Sequence, residues 1–107
     1  NLLRNAKQAL ASNAIEQPCI WIRTYPQNYH LVIEVQDNGP GMTDTIRQHI
    51  FEPFFTTRSQ GTGLGLAVVQ AVAHSHNGSI RYCTSALGGA RFELLFPVYR
   101  PVTAGQE

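Results

Sequence analysis

Two glycine clusters and a pair of asparagines carry the residue types from which this chain could build chemistry. The first cluster is Asp37-Asn38-Gly39-Pro40-Gly41 and the second is Gly61-Thr62-Gly63-Leu64-Gly65. Asp37 closes an apolar alternation, Leu31, Ile33, Val35, so its carboxylate falls on the core side of a strand. A carboxylate there is costly unless it meets a donor. A purine amino group is one such donor; an Asp capping its own turn is the ordinary alternative. Gly39 and Gly41 either let backbone approach a flat ring or simply make a tight bend. The second cluster opens a helical pattern, and unpaired N–H groups at a helix N-terminus favour an anion. Three fixed glycines arise by chance in roughly 3 or 4 chains of this length in 100, so the cluster gains its weight from its neighbours. Asn1 and Asn5 stand four apart on one helix face. An Asn carbonyl is a neutral oxygen ligand able to hold a Mg²⁺ otherwise bound by phosphate and water, while a solvated helix face explains the same pair.

The elements that position these groups follow from periodicity. Leu2, Leu3, Ala6, Ala9 and Leu10 form an apolar stripe, predicting a helix over 1–13. Cys19 to Tyr25 and His30 to Asp37 alternate as strands around a Pro26-Gln27-Asn28 turn and predict an antiparallel hairpin. Thr43 is a candidate N-cap for a short helix to Ile50. Phe51, Phe54 and Phe55 surround Pro53 in a segment too irregular for a regular element; such residues are core, or a latch for a mobile lid. Leu64 to His76 reads as the best helix, burying Leu66, Val69, Val72 and Ala73 and ending at an Asn77-Gly78 left-handed cap. Ser79 to Thr84 and Ala90 to Pro97 form a last hairpin around Leu87-Gly88-Gly89.

The 107 residues suffice for one small domain, over 1–99, with a tail at 100–107. With 43% hydrophobic and 14% charged residues the chain is globular, and a net charge of +1 argues against nucleic-acid or direct membrane contact. No run has the length of a membrane span. Cys19 and Cys83 lie outside any metal or redox motif and fit free thiols in a reducing, cytoplasmic setting.

Taken together, these pieces resemble the catalytic ATP-binding domain of sensor histidine kinases, within the GHKL superfamily. Asn1-Leu2-Leu3-Arg4-Asn5-Ala6 is similar to that family's N box, and Asp37 to Met42 to its first glycine box. Phe51-Glu52-Pro53-Phe54-Phe55-Thr56-Thr57 resembles its F box, and Gly61 to Leu66 its second glycine box. His76 to Ile80 and Gly89 to Pro97 resemble its ending. The resemblance implies an α/β (α+β) two-layer sandwich of the Bergerat type, with helices on one face of a mixed sheet and an ATP lid over 42–61. By the same resemblance the chain starts inside the N box and lacks the helix and strand that usually precede it.

The resemblance also implies roles. Asn5 would ligate Mg²⁺ between the phosphates, and Asn1 would support it. Asp37 would accept from the adenine amino group, with Gly39, Gly41 and Met42 around the base. Gly61, Thr62, Gly63, Leu64 and Gly65 would face the phosphates, joined by Lys7, Gln8, Thr57 and Arg58. Phe51 and Phe54 would belong to the lid region that closes on the nucleotide. The reaction implied is transfer of the ATP γ-phosphoryl group to a His on a separate dimerisation domain, for relay to a response regulator receiver domain. None of His30, His49, His74 and His76 has the sequence context of a phosphoacceptor. ATPases of the superfamily carry a Glu base where this chain has Asn1, and an amide cannot take a proton, so hydrolysis is the disfavoured chemistry. The alternatives are a GHKL-type regulatory ATP-binding module or an ATPase. Only Arg58-Ser59-Gln60 separate the F box from the second glycine box, a short lid similar to that of kinases acting on activators of nitrogen or flagellar genes.

Overall fold

A computed structural model describes residues 1–55 and 63–98. The chain order is α1 (Leu2–Ser12), β1 (Ile20–Gln27), β2 (His30–Asp37), α2 (Asp44–Arg47), α3 (Gly65–Ser75), β3 (Ser79–Thr84) and β4 (Ala90–Pro97). The strands form one sheet in the order β1-β2-β4-β3. Each neighbouring pair is antiparallel, with Ile20 opposite Asp37, Gln36 opposite Arg91 and Thr84 opposite Ala90. The expected two-layer sandwich is therefore present. The parallel pairing that a mixed sheet requires is not found among the described strands, because β2 meets β4 rather than the nearer β3.

The core lies between the helices and one sheet face. Leu2 and Ala6 of α1 pack with Val35, Ile50, Ala90 and Phe92, and Leu66, Val69, Ile80 and Tyr82 close over them. Phe92 receives the edges of Phe51 and Tyr82, with ring centroids 6.4 and 5.3 Å away. Phe51 thus belongs to the core. α1 lies over β2 and α3 over β3 and β4, which leaves Ile20, Ile22 and Leu31 on the β1 side exposed.

Local chemistry corrects several boundaries. The first hairpin turns at Asn28-Tyr29, where both residues have positive φ. That is the geometry of a two-residue loop matched to strand twist. Pro26 instead sits inside β1, tolerated because β1 is an edge strand with an unpaired side. Thr43 caps α2 as expected, its hydroxyl accepting from the Ile46 N–H at 3.3 Å. At the end of α3 the expected Asn77-Gly78 left-handed cap forms, with Asn77 as the residue of positive φ. The Gly78 N–H reaches back to the Ala73 carbonyl at 2.8 Å, and a side chain at Gly78 would strike the Leu95 carbonyl 2.5 Å away. Val72, expected in the core, is half-exposed. Ala73 alone of α3 is fully buried.

The second sheet face is polar and yet buried. Across its middle run Arg23, Glu34, Glu93 and Arg81, on four successive strands. Glu34 and Glu93 are each 1% exposed and directly opposite one another. Arg23 bridges to Glu34 at 3.1 Å, and Arg81 to Glu93 at 2.6 Å. The Tyr25 hydroxyl lies 3.1 Å from Glu34 and 3.2 Å from Glu93. Desolvation pushes both carboxyls up. Hydrogen bonds from Arg23, Gln36 and Tyr25 to Glu34, and from Arg81 to Glu93, outweigh it and hold both below the usual carboxylate range.

Candidate functional site

The end of β2, α1, the residues after β2 and the start of α3 enclose a cavity of about 430 Å³, the size of a small-molecule site. Val35, Ile46, Ile50, Ala90 and Phe92 give it an apolar base. Its polar groups converge from the elements the sequence had singled out. Asn1, Asn5 and Gln8 reach it from one face of α1, and Asp37 and Gly41 from the end of β2. Met42 follows, and Gly63, Leu64 and Gly65 come from the start of α3.

Asp37 is 4% exposed and is aimed by backbone. The Gly39 N–H donates to its Oδ1 at 2.9 Å and the Ala90 N–H donates to the same oxygen at 3.2 Å. Both donors fall on one oxygen, which fixes the carboxylate plane. Asn38 does different work: its side chain accepts from the Cys19 N–H and donates to the Gln17 carbonyl, each at 2.8 Å, anchoring the start of β1. Gly39, whose N–H is taken up by Asp37, is not among the residues that line the cavity. The Met42 N–H donates to the Tyr82 hydroxyl at 3.1 Å, and the Arg47 guanidinium stacks 5.1 Å above that ring. This pins the segment leaving the first glycine cluster to β3. Burial pushes the Tyr82 hydroxyl up, so it stays a neutral acceptor.

At the other rim, α3 begins with no side-chain cap and no acidic residue in its first turn. Gly63 to Leu66 line the cavity, so the positive end of the α3 dipole lies at its wall, where an anion is favoured. Gly63 has φ +74°, and its carbonyl accepts from the Phe54 N–H at 2.8 Å. The F box is thus joined directly to the second glycine cluster. Phe54 itself is 75% exposed and lines no part of the cavity; Phe55 does. Lys7 faces a separate shallow groove with Leu10 and Pro18. Arg4, quoted within the N box but given no role there, lines the cavity; its place one residue before Asn5 is the signal for it. Thr57, Arg58, Gly61 and Thr62 lie outside the described residues.

The family model for histidine kinase-, DNA gyrase B- and HSP90-like ATPases matches residues 1–100. The chain belongs to this family. It is 38% identical over 98 residues to the signal transduction histidine-protein kinase AtoS of Escherichia coli, covering 92% of this chain and 16% of AtoS. It is 40% identical over 111 residues to the sensory histidine kinase/phosphatase NtrB of Rhodobacter capsulatus, covering 92% of this chain and 30% of NtrB. The solved ATP-binding domain of PrrB from Mycobacterium tuberculosis superposes with a TM-score of 0.67 at 29% identity, over 92% of this chain and 68% of that one. The chain therefore spans less than a third of these two kinases, and what it shares with them is the catalytic ATP-binding part. Within that part, the cavity sits where all four of the recognised boxes meet.

Proposed function

We propose that this chain is the ATP-binding catalytic domain of a two-component sensor histidine kinase. It transfers the γ-phosphoryl group of ATP to a His on a separate dimerisation domain, which then passes it to a response regulator. The observation that carries the reading is Asp37. Its Oδ1 is held by two backbone donors at the apolar end of the cavity, and Oδ2 is the atom we assign to the 6-amino group of adenine. The base then rests on Val35, Ile50 and Phe92, and the phosphates run toward the α3 N-terminus.

The residues present fit a Mg²⁺ that arrives with the nucleotide. Among the described residues no three His, Cys, Asp or Glu side chains converge on a metal position. Asn5 and Asn1 line the cavity, and each carries an amide oxygen. A site of that kind holds Mg²⁺ only when phosphates and water complete the octahedron. The ion would neutralise charge on the transferred group, and Asn5 would orient it. No helix among the described residues is long and apolar enough to cross a membrane.

Titration with a fluorescent ATP analogue and Mg²⁺ tests the proposal. The chain should bind saturably, and Asp37→Asn should weaken binding at least tenfold, since an amide of the same shape presents a donor to a donor. Equal binding by the variant would remove adenine from Asp37.

A further inference from the structure

The turn between β3 and β4 approaches the end of β2 more closely than any residue but glycine permits. A Cβ at Gly89 would lie 2.2 Å from Asp37 Oδ1, 2.5 Å from the Asp37 carbonyl and 2.6 Å from the Gly39 nitrogen. This contact puts the Ala90 N–H on Asp37. The β2–β4 ladder holds the β4 side of the turn as far as Arg91, opposite Gln36; the β3 side, beyond Thr84, has no ladder to β2 and needs a hold of its own.

Ser85 supplies the hold. It is 5% exposed, and Gln36, beside Asp37 on β2, is 4% exposed. The Ser85 N–H donates to the Gly89 carbonyl at 2.8 Å, and its carbonyl accepts from Gly88 at 3.0 Å. Its hydroxyl accepts from the Leu87 N–H at 2.9 Å and donates to Gln36 Oε1 at 2.7 Å. The first three bonds close the turn on itself. The fourth is different in kind. It ties the turn to β2, which β4 separates from β3 in the sheet. Gln36 is itself fixed, because its Nε2 donates to Glu34, which Arg23 holds. A reversed amide would set oxygen against carboxylate, so the network admits one orientation.

We propose that Ser85 and Gln36 are positioning residues that set selectivity for a 6-amino purine through the aim of Asp37. The inference rests on Asp37 being the base acceptor. Without the Ser85–Gln36 bond the turn lifts from β2, the Ala90 N–H leaves Oδ1, and the carboxylate rotates away from the plane of the base.

The test is competition of ATP and purine riboside triphosphate, which lacks the 6-amino group, against the fluorescent analogue. One hydrogen bond to a carboxylate corresponds to a preference for ATP of roughly tenfold. Ser85→Ala should reduce that preference to about threefold or less while affinity for purine riboside triphosphate stays within about twofold. Ser85→Thr, which keeps the hydroxyl, should retain the preference. Gln36→Met removes the same bond from its other end and should reproduce Ser85→Ala. Full retention of the preference in Ser85→Ala and Gln36→Met overturns the proposal. So does equal loss of affinity for both nucleotides, the mark of a merely structural role. If the unaltered chain binds the two nucleotides equally, the base-acceptor reading of Asp37 fails first, and this inference falls with it.

Discussion

At the scale of single residues, the glycines divide into those the fold needs and one the ligand needs. Gly63 is needed by the fold: φ is +74° and a Cβ would meet the Phe54 carbonyl carbon at 2.3 Å. The left-handed backbone alone costs an alanine about 1–2 kcal/mol, and the collision adds to it. Gly63→Ala should lower Tm by at least about 5 °C in a domain of this size. Gly88 is the internal control. Its φ is +101° with nothing within 4 Å of a built Cβ, so Gly88→Ala should suffer the backbone term only and fall by less. Gly65 is the opposite case. It opens α3 with ordinary φ, and a Cβ there would meet only the Asn1 side chain, at 3.9 Å. Gly65→Ala should leave Tm unchanged or slightly raised, since Ala is the better helix former. It should nevertheless weaken nucleotide binding about tenfold or more by occupying the space where phosphate meets the helix N-terminus. Thermal melting and the ATP-analogue titration on these three variants separate the two roles. A Gly65→Ala chain with unchanged affinity would remove that glycine from the phosphate site.

At the scale of elements, the sheet joins an apolar face to a buried ionic one, and the second makes stability depend on pH. Glu34 and Glu93 are held below their ordinary value of 4.5. A carboxyl lowered on folding stabilises the native state fully above its unfolded value. That contribution is lost as pH falls through the folded one. The guanidiniums of Arg23 and Arg81 are half-exposed, so each carboxylate contributes on the order of 1 kcal/mol. Tm should therefore drop as pH is lowered from 4.5 toward 3, and Glu34→Gln with Glu93→Gln should begin lower at pH 7 and fall less steeply. Parallel Tm curves for the two chains would show the pair to be neutral. These elements also show how far a sequence can be read. The helix of α1, both hairpins and the placing of Asp37 on the Val35 face were legible, because each rests on local periodicity. The burial of the opposite face was not: alternation puts Val32, Glu34 and Gln36 on one face and says nothing of what covers it. Arg23 and Tyr25 of β1 close over it together with Arg91 and Glu93 of β4, the latter some 55 to 60 residues away. Val72 was misplaced for a related reason, since helical spacing marks a stripe but does not show how much sheet lies beneath it. The cavity's ends were legible through glycines and Asn pairs. The Ser85–Gln36 bond was not, because nothing local in either strand marks a contact across an intervening one.

At the scale of the whole molecule, the site is incomplete for phosphotransfer in one specific respect. On the proposed reading the cavity gathers the parts that bind and polarise a nucleotide, and none of its described lining residues is a histidine. His30 begins β2, His49 follows α2, and His74 and His76 lie at the far end of α3 from Gly65. Asn1 stands at the cavity rim as an amide, with no proton-accepting capacity to activate water. On the proposed reading ATP is held intact until an acceptor is brought to the γ-phosphate, where positioning and charge neutralisation supply the catalysis. With Mg²⁺ and γ-labelled ATP, the chain alone should release phosphate no faster than buffer. Adding a His-bearing dimerisation domain should place label on that domain in an acid-labile, base-stable linkage, and Asp37→Asn should abolish the transfer. Rapid phosphate release by the chain alone, with no label on the added domain, would instead assign it to the hydrolases of its family and require a base other than Asn1.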